Sequence, residues 1–212
     1  MSTARAQASG IVLHGARLYD FFFGPVIRRS DGEILARAGV GPGDRVLDVG
    51  TGPGYLALAA ARLVAPGGAA VGIDASPEMV ARARLRAARR EAAVDYRVAA
   101  AEALPFEDGA FDVVVSRLVL HHLPGYVQRR ALGEMARVLR PGGRLVVVDL
   151  ASAAAQGAHH VVAHLLGSRP GAGADLALLI HDAGFTRLTQ GKLMHGLLSG
   201  VAAQRAQGNM RA

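Results

Sequence analysis

The chain has 212 residues, a formal net charge of +7 and no cysteine. This length fits one domain with a substantial core, and the absence of cysteine excludes disulfides, thiolate zinc sites and cysteine nucleophiles. Hydrophobic residues make up 51% of the chain, yet no apolar run approaches the roughly 20 residues that a helix needs to span a bilayer.

The N-terminal region, residues 1–40, predicts a helical lid. Its first ten residues, MSTARAQASG, contain no apolar stretch followed by a small-residue cleavage site, so we expect no secretory signal and a soluble, cytoplasmic protein. The segment LYDFFFGPVIRRSDGEILARAG predicts two short helices separated at Gly24 and Pro25, because proline is poorly tolerated inside a helix.

The centre of the chain, residues 41–150, alternates apolar strand-like runs with helical patterns. This alternation indicates βαβ units and a parallel sheet that helices cover on both faces. The predicted strands are RVLDV (45–49), AAVGID (69–74), VDYRVA (94–99), FDVVVS (111–116) and RLVVVDL (144–150). Ser76 and Pro77 predict a helix start, and RPGGR (140–144) predicts a turn after a helix over residues 126–139.

The helix that begins near Pro77 contains the densest cluster of positive charge. Arg82, Arg86, Arg89 and Arg90 share one face of this helix at helical spacing. The chain has a single lysine, Lys192, so its positive charge comes almost wholly from arginine in an alanine- and glycine-rich composition. We interpret the cluster as a solvated helix face, with an anion-binding patch as the alternative.

The C-terminal third predicts a connector followed by the end of the sheet. Residues 151–173 predict a short connector with one short helix, and residues 174–205 predict a last helix, ended by Gly184, and a closing strand pair. His159, His160 and His164 have helical spacing, but no acid or cysteine accompanies them, so we predict no metal site. Without a repeat or a second core, residues 1–212 predict a single domain.

The stretch VLDVGTGPG, residues 46–54, predicts a buried strand that runs into a glycine-rich turn. Glycines 50, 52 and 54 allow a tight bend and the close approach of a ligand. The dinucleotide fingerprint needs its third glycine one place later, at Tyr55, and the Gly-Lys-Ser/Thr of a phosphate loop is absent. A carboxylate at Asp48 would repel a pyrophosphate and suit a cationic group. The turn is therefore less suited to a pyrophosphate than to a ligand with an ammonium group or a water-bridged amine.

Four motifs follow one another at the spacing of a known family. They are VLDVGTGPG (46–54), VGIDASPEMVARAR (71–84), AEALPFEDGAFDVVVSRLVLHHL (101–123) and LGEMARVLRPGGRLVVVD (132–149). From Tyr19 to about Val201, the chain resembles the class I S-adenosylmethionine-dependent methyltransferases, in particular the small-molecule group that includes ubiquinone and menaquinone C-methyltransferases. The resemblance implies an α/β fold with a Rossmann-like, doubly wound, seven-stranded sheet. That sheet is mostly parallel with an antiparallel last strand, and it carries helices on both faces.

The resemblance also implies a site for S-adenosylmethionine, with S-adenosylhomocysteine as the product. The three glycines would clear space for the methionyl part and the ribose, Asp48 would lie near the amino group, and Asp74 would accept both ribose hydroxyls. Ala75 and Met79 would pack near the adenine or ribose, with ordinary core packing as the alternative. The predicted cofactor-binding residues are Asp48, Gly50, Thr51, Gly52, Gly54, Asp74, Ala75, Met79, Ala100, Ala101, Glu102, Ser116 and Arg117.

One departure from the family pattern concerns the adenine. Relatives often have Gly-Asp-Ala-Glu-x-Leu-Pro-Phe, in which the aspartate receives the adenine amino group, and this chain has Ala100 at the position of that aspartate. Backbone groups at Ala100 and Ala101 would hold the adenine instead, with Glu102 as an alternative acceptor. Because a hydrogen bond to a charged acceptor contributes about 1.5–3 kcal/mol, we expect a modest cofactor affinity.

Two histidines follow the fourth predicted strand, at the edge where open α/β sheets bind ligands. Methyl transfer from a sulfonium is an in-line displacement, so positioning supplies most of the catalysis, but oxygen and carbon nucleophiles usually need a proton removed. His121 and His122 are the candidate bases and substrate-binding residues; the alternative is that they cap the next helix or pack beneath the loop. Tyr19, part of a Tyr-Asp pair found in the lid of relatives, is a further predicted substrate residue, with core packing as its alternative.

Three functions remain open on the sequence. The first is a methyltransferase that acts on a small-molecule partner. The second is a phospholipid N-methyltransferase at a membrane surface, because YDFFFGPVIRR resembles the N-terminal segment of bacterial phosphatidylethanolamine-methylating enzymes. The third is a cofactor-binding protein without methyltransferase activity. Nucleic acid is disfavoured as a partner, because SRLVLHH stands where methyltransferases of DNA bases have Asn/Asp-Pro-Pro-Tyr.

Overall fold

A computed structural model describes residues 28–150, 176–193 and 198–207. Its centre is a seven-stranded sheet in the order β3-β2-β1-β4-β5-β7-β6. The strands β1 to β5 pair in parallel, whereas β7 is antiparallel to both β5 and β6. This sheet confirms the predicted fold class. The strands are β1 (Arg45–Val49), β2 (Ala69–Asp74), β3 (Val94–Val98), β4 (Phe111–Arg117), β5 (Leu139–Leu150), β6 (Phe185–Leu193) and β7 (Leu198–Arg205).

Helices flank the sheet on both faces, as predicted. In the described ranges, 3-10 turns occupy Arg28–Ser30 and Leu120–His122. The α-helices are α1 (Asp31–Arg37), α2 (Tyr55–Val64), α3 (Pro77–Ala88), α4 (Gly125–Val138) and α5 (Leu176–Asp182). The helix start predicted at Ser76 is confirmed, because the Ser76 hydroxyl accepts a hydrogen bond from the Met79 amide at 3.3 Å.

Alternation along the strands divides the core between the two faces of the sheet. Leu47 and Val49 of β1 point to the same side and pack in a cluster with buried residues of α4 and α5. Val46 points to the other side and packs with α1 and α2. This two-residue period is what a parallel strand covered on both faces requires. Asp48 shares its side of β1 with Val46, so a carboxylate enters the layer between the sheet and α2.

The fifth strand is longer than the sequence predicts. It begins at Leu139, opposite Phe111 of β4, and regular pairing resumes with Arg144 opposite Val113, so the predicted RPGG turn lies inside the strand as an irregularity. A β-carbon at Gly143 would come within 2.8 Å of a carbonyl oxygen of the same segment. The glycines therefore let the chain form a local irregularity and then pair again with the same neighbouring strand, which local turn signals do not predict.

The strand order reverses between β1 and β4. These two strands are neighbours in the sheet, although β2 and β3 lie between them in the chain. In open α/β sheets, ligands bind in the crevice outside the carboxyl ends of the strands at such a point. The glycine-rich turn after β1 and the loop after β4, with its two histidines, both lie there.

Several predictions concern residues that the structure does not describe. The first of the two predicted N-terminal helices and the connector, residues 151–173, lie outside the described residues, whereas α1 corresponds to the second predicted helix. Within the described ranges, no helix combines the length and the apolar character needed to cross a membrane.

Two leucines of α2 provide a matched test of the core. Leu56 is 1% exposed and packs between α2 and the sheet, whereas Leu63 is 43% exposed. We expect Leu56→Ala to lower the free energy of unfolding by about 2–5 kcal/mol, because it removes buried methyl groups and leaves a cavity. Leu63→Ala should lower it by less than about 1 kcal/mol. Urea denaturation followed by circular dichroism measures both, and equal losses would contradict the packing of α2 described above.

Candidate functional site

The carboxylate of Asp74 joins the glycine-rich turn to the start of α3. One oxygen, Oδ2, accepts a hydrogen bond from the Gly52 amide at 2.8 Å, and Oδ1 accepts one from the Ser76 amide at 2.9 Å. Burial raises the pKa of Asp74, and the two amide donors oppose that rise. An ionised carboxylate has about four acceptor sites, so about two remain for a ligand at the end of β2.

The three glycines of the turn have different surroundings. All have positive φ angles, but a β-carbon at Gly52 would meet nothing within 4 Å. A β-carbon at Gly50 would lie 2.1 Å from the Val119 side chain, and one at Gly54 would lie 2.6 Å from the Tyr96 hydroxyl. Gly50 and Gly54 are therefore required by protein packing as well, and the open position is at Gly52; that all three glycines clear space for a ligand stays a prediction.

Side chains from β3 and α3 support the back of the turn. The Tyr96 hydroxyl donates to the Gly54 carbonyl at 2.8 Å. The Arg86 guanidinium donates to the Pro53 carbonyl and, at 2.9 Å, to the Tyr55 hydroxyl, and it lies 3.9 Å from the centre of the Tyr55 ring. These bonds hold the turn in one conformation through groups that lie outside it.

The arginine cluster of α3 is therefore not one solvated face. Arg86 turns towards the glycine-rich turn, whereas Arg82 forms an ion pair with Glu78 at 2.9 Å. Arg89 and Arg90 are exposed, in agreement with the predicted solvated face. Helical spacing alone does not distinguish an arginine that contacts the next element from its exposed neighbours.

Asp48 is buried beneath the turn, with 2% of its surface exposed. Its Oδ2 accepts hydrogen bonds from the Thr51 hydroxyl at 2.6 Å and from the Ala57 amide of α2 at 3.2 Å. Burial raises the pKa of Asp48 to about 6, although the Thr51 hydrogen bond and the charge of Arg117 oppose the rise. Asp48 and Thr51, both predicted cofactor residues, thus connect β1, the turn and α2; contact of Asp48 with a ligand amino group stays a prediction.

The segment after β3, predicted to hold an adenine, is fixed by two side chains of α4. Glu134 accepts a hydrogen bond from the Leu104 amide at 2.7 Å. Arg137 donates to the carbonyls of Leu104 at 3.0 Å and Phe106 at 2.7 Å, and it pairs with Glu134. The sequence interpretation missed this clamp. Ala100, Ala101 and Glu102 are half-buried on the segment that it holds.

The remaining predicted cofactor residues divide between the surface and the core. Ala75 is exposed, whereas Met79 is buried, in agreement with core packing for its side chain. The buried Ser116 hydroxyl donates to the Val49 carbonyl at 3.0 Å and so connects the ends of β1 and β4. Arg117 forms a largely buried ion pair with Asp31 of α1. Contact of Ser116 and Arg117 with a cofactor through backbone atoms stays a prediction.

His121 lies in the 3-10 turn after β4 and pairs with Asp149 of β5. The His121 amide donates to Asp149 Oδ2 at 3.0 Å, and the ring Nδ1 is hydrogen-bonded to Oδ1. His121 is 7% exposed, and its buried Nε2 has no hydrogen-bond partner among the residues that the structure describes. The half-buried His122 ring lies against it, with 3.9 Å between the ring centres. Asp149 was not predicted, although its place at the end of an apolar strand, like that of Asp74, is the signal that could have found it.

Other predicted residues lie outside the described part of the chain. These are the substrate residue Tyr19 and the histidines His159, His160 and His164. Among the residues that the structure describes, no group of three or more histidine and acidic side chains could hold a metal ion.

Comparison with known proteins finds matches to the central part of the chain. Residues 47–147 match a family model described as "Methyltransferase domain". The chain is similar to the demethylmenaquinone methyltransferase of Thermus thermophilus, with 48% identity over 105 residues, which covers 50% of this chain and 46% of the relative. The chain spans less than half the length of the curated relatives that it matches.

Two solved structures have the same fold at low sequence identity. Phosphoethanolamine N-methyltransferase 2 of Haemonchus contortus, solved with phosphomonomethylethanolamine and S-adenosylhomocysteine, superposes with a TM-score of 0.73 at 20% identity, over 91% of this chain and 57% of that one. The [4+2]-cyclase SpnF superposes with a TM-score of 0.68 at 22% identity, over 85% of this chain and 81% of that one. The fold therefore occurs in proteins named for different reactions.

The buried carboxyl of Asp48 predicts a specific dependence of stability on pH. Its pKa rises on folding from the ordinary value of 3.8 to about 6, so between these values the folded state binds a proton that the unfolded state releases. The stability that this proton provides is present at about pH 4 and is lost as the pH rises through 6. Asp48→Asn does not titrate. We therefore expect the free energy of unfolding of the variant, relative to the parent, to increase by about 2 kcal/mol between pH 4 and pH 7. Urea denaturation across this range measures it, and a constant difference would contradict the raised pKa.

Proposed function

We propose that this protein, whose residues 47–147 belong to the class I S-adenosylmethionine-dependent methyltransferase family, binds S-adenosylmethionine at the carboxyl edge of its sheet and methylates a small-molecule acceptor. The observation that carries the proposal is the arrangement of Asp74 and Gly52. A carboxylate with spare acceptor capacity lies 2.8 Å from the amide of a glycine beside open space. This arrangement suits a ligand that offers two hydroxyl groups close to the backbone.

The charges at this edge favour a cationic nucleoside over a pyrophosphate. Asp48 and Asp74 are both carboxyl groups whose pKa burial raises, and a nearby positive charge would make their ionisation easier. The nearby guanidinium of Arg117 forms an ion pair with Asp31. A sulfonium and an ammonium, the two cationic groups of S-adenosylmethionine, match the sign of this environment.

The adenine would contact the segment after β3. Ala100 provides no carboxylate, so backbone groups of Ala100 and Ala101 would recognise the adenine edge. Glu134 and Arg137 fix this segment from α4, which lowers the entropy that ordering the segment on binding would otherwise cost. The proposal is therefore a preorganised site with few charged contacts to the base.

The bound sulfonium supplies an electrophilic methyl group, so the protein needs no covalent intermediate. Its residues orient donor and acceptor in line, which contributes most of the rate when the reacting atoms approach contact distance. The loop after β4 provides the acceptor side of the site in this proposal. In that loop, Val119 packs directly against Gly50 of the glycine-rich turn. His121 and His122 follow Val119 by two and three positions, so they belong to the loop that contacts the predicted donor site.

The two alternative functions have separate consequences. The segment that motivates a phospholipid acceptor, YDFFFGPVIRR, lies almost entirely outside the described residues, and flotation with anionic liposomes tests it directly.

A cofactor-binding protein without methyl transfer would bind S-adenosylmethionine and leave every acceptor unchanged. We would separate it from the proposed function by incubating the protein with metabolite extracts and S-adenosylmethionine that carries a labelled methyl group. Mass spectrometry then searches for products that gain one labelled methyl; extracts without such a product, although the cofactor binds, would support the non-catalytic alternative.

The Asp74 carboxylate gives the sharpest test of cofactor binding. We expect Asp74→Asn to weaken binding of S-adenosylhomocysteine by about 10- to 100-fold, because one acceptor oxygen and the negative charge are lost, and a hydrogen bond to a charged group contributes about 1.5–3 kcal/mol. Isothermal titration calorimetry measures the dissociation constant. Asp95→Asn, which changes an exposed aspartate on neighbouring β3, is the matched control and should bind as the parent does.

Two results of this titration would contradict the proposal, one for the role of Asp74 and one for the cofactor itself. An unchanged dissociation constant for Asp74→Asn, with circular dichroism like that of the parent, would reject the ribose role of Asp74. Absence of binding of both S-adenosylmethionine and S-adenosylhomocysteine to the parent protein would reject the proposed cofactor and the function with it.

A further inference from the structure

His121 and Asp149 form a buried pair on the acceptor side of the proposed site. Both oxygens of the carboxylate are used, one by the His121 backbone amide and one by the ring Nδ1. Asp149 is 6% exposed and His121 is 7% exposed. A carboxylate that receives two hydrogen bonds from a single residue fixes both the position of that residue and the orientation of its ring.

This contact determines which ring nitrogen carries the proton. An ionised carboxylate only accepts hydrogen bonds, so the proton of the neutral imidazole lies on Nδ1 and the lone pair lies on Nε2. Nε2 is buried, and no group in the described part of the chain forms a hydrogen bond with it. A buried polar atom without a hydrogen bond destabilises the folded state, and a proton donor on a bound acceptor would remove this cost.

The surroundings of His121 hold it beside the donor half of the site. The Gln128 side-chain amide donates to the Leu120 and Leu123 carbonyls at 2.8 and 3.1 Å, which fixes the 3-10 turn from α4. Val119, two residues before His121, packs against Gly50 of the glycine-rich turn. The unpartnered nitrogen therefore belongs to a loop that touches the turn at which the methyl donor is proposed to bind.

We propose that Asp149 is a positioning residue that holds His121 with its proton on Nδ1, so that Nε2 takes a proton from the acceptor during methyl transfer. This inference rests on the proposed function. It also names the acceptor class: the nucleophilic atom is a hydroxyl oxygen or an acidic carbon that still carries its proton when it binds. A thiolate or a free amine, which has a lone pair ready for attack, needs no such base.

The proton transfer balances with the methyl transfer. The O–H or C–H bond of the acceptor breaks, its proton moves to Nε2, and its electron pair forms the new bond to the methyl carbon as the carbon–sulfur electron pair moves to sulfur. The products are a methylated acceptor, a neutral thioether and an imidazolium. The positive charge of the imidazolium lies against the Asp149 carboxylate, which stabilises it, and the proton then passes to water.

The tautomer is measurable without an acceptor. We would label the histidine ring nitrogens with ¹⁵N, correlate them with the ring carbon protons by NMR, and assign the His121 signals from their loss in His121→Gln. The parent should carry its proton on Nδ1. In Asp149→Asn a single oxygen remains, and once the His121 amide occupies it, the side-chain NH₂ faces Nδ1 and drives the proton to Nε2, a change of tautomer known to disable a catalytic histidine.

The matched control for the tautomer is Asp95→Asn, which should leave the His121 signals as in the parent. A parent with its proton on Nε2 would overturn the inference, and so would an Asp149→Asn variant that keeps the parent tautomer. A merely structural contact would change stability in Asp149→Asn and leave the tautomer of the folded protein unaltered.

Kinetics with the acceptor purified from the extract experiment test the consequence for catalysis. We expect Asp149→Asn to lower kcat by at least about 100-fold, the usual contribution of a general base, with KM within about threefold and an unchanged dissociation constant for S-adenosylhomocysteine. An acceptor methylated by Asp149→Asn at the parental kcat, or an acceptor that reacts through a thiolate or a free amine, would overturn the inference. A parent protein that binds no cofactor would instead reject the proposed function, while the tautomer measurement would still judge the His121–Asp149 pair.

Discussion

The candidate site depends on a short stretch of backbone whose polar groups need hydrogen-bond partners from other elements. At residues 50–54 the chain leaves β1 with three glycines at positive φ angles. Backbone hydrogen bonds to β2, within the turn and to α2 satisfy part of this segment, and buried backbone groups that stay unpaired are costly. Side chains from other elements supply further partners: Asp74 of β2 binds the Gly52 amide, Tyr96 of β3 binds the Gly54 carbonyl, and Arg86 of α3 binds the Pro53 carbonyl between them. The glycines that leave room for a ligand are therefore held in place by side chains from β2, β3 and α3.

The same support sets the electrostatic character of the edge. Asp74 and Asp48 hold backbone amides, and in doing so they bring two carboxyl groups into a region where burial raises the pKa of each. Buried carboxyl groups are costly to ionise unless a cation is near. Arg117 supplies part of that compensation and is itself paired with Asp31. A structural requirement of the turn thus produces an environment that selects for positive charge.

Local patterns predicted the frame of this molecule, and contacts between distant residues account for what they missed. The bounds of β1 and β2 agree with the predicted strands because each apolar run ends at a residue that begins a turn. The contacts of Tyr96 with Gly54 and of Asp149 with His121 join positions 42 and 28 residues apart. Neither leaves a periodic signal, since each depends on which strands become neighbours and not on spacing along the chain.

The two halves of the sheet consequently differ in how far sequence identifies their chemistry. The strands β1 to β3 carry the glycine-rich turn and Asp74, whose spacing is local and typical of a family. His121 follows β4 and Asp149 lies near the end of β5. The two residues meet because these strands pair in parallel and end at the same edge. A [4+2]-cyclase has the same fold, so the fold by itself does not define the reaction. In the proposed function, the chemistry of the His121–Asp149 pair is accordingly what distinguishes one class of acceptor from another.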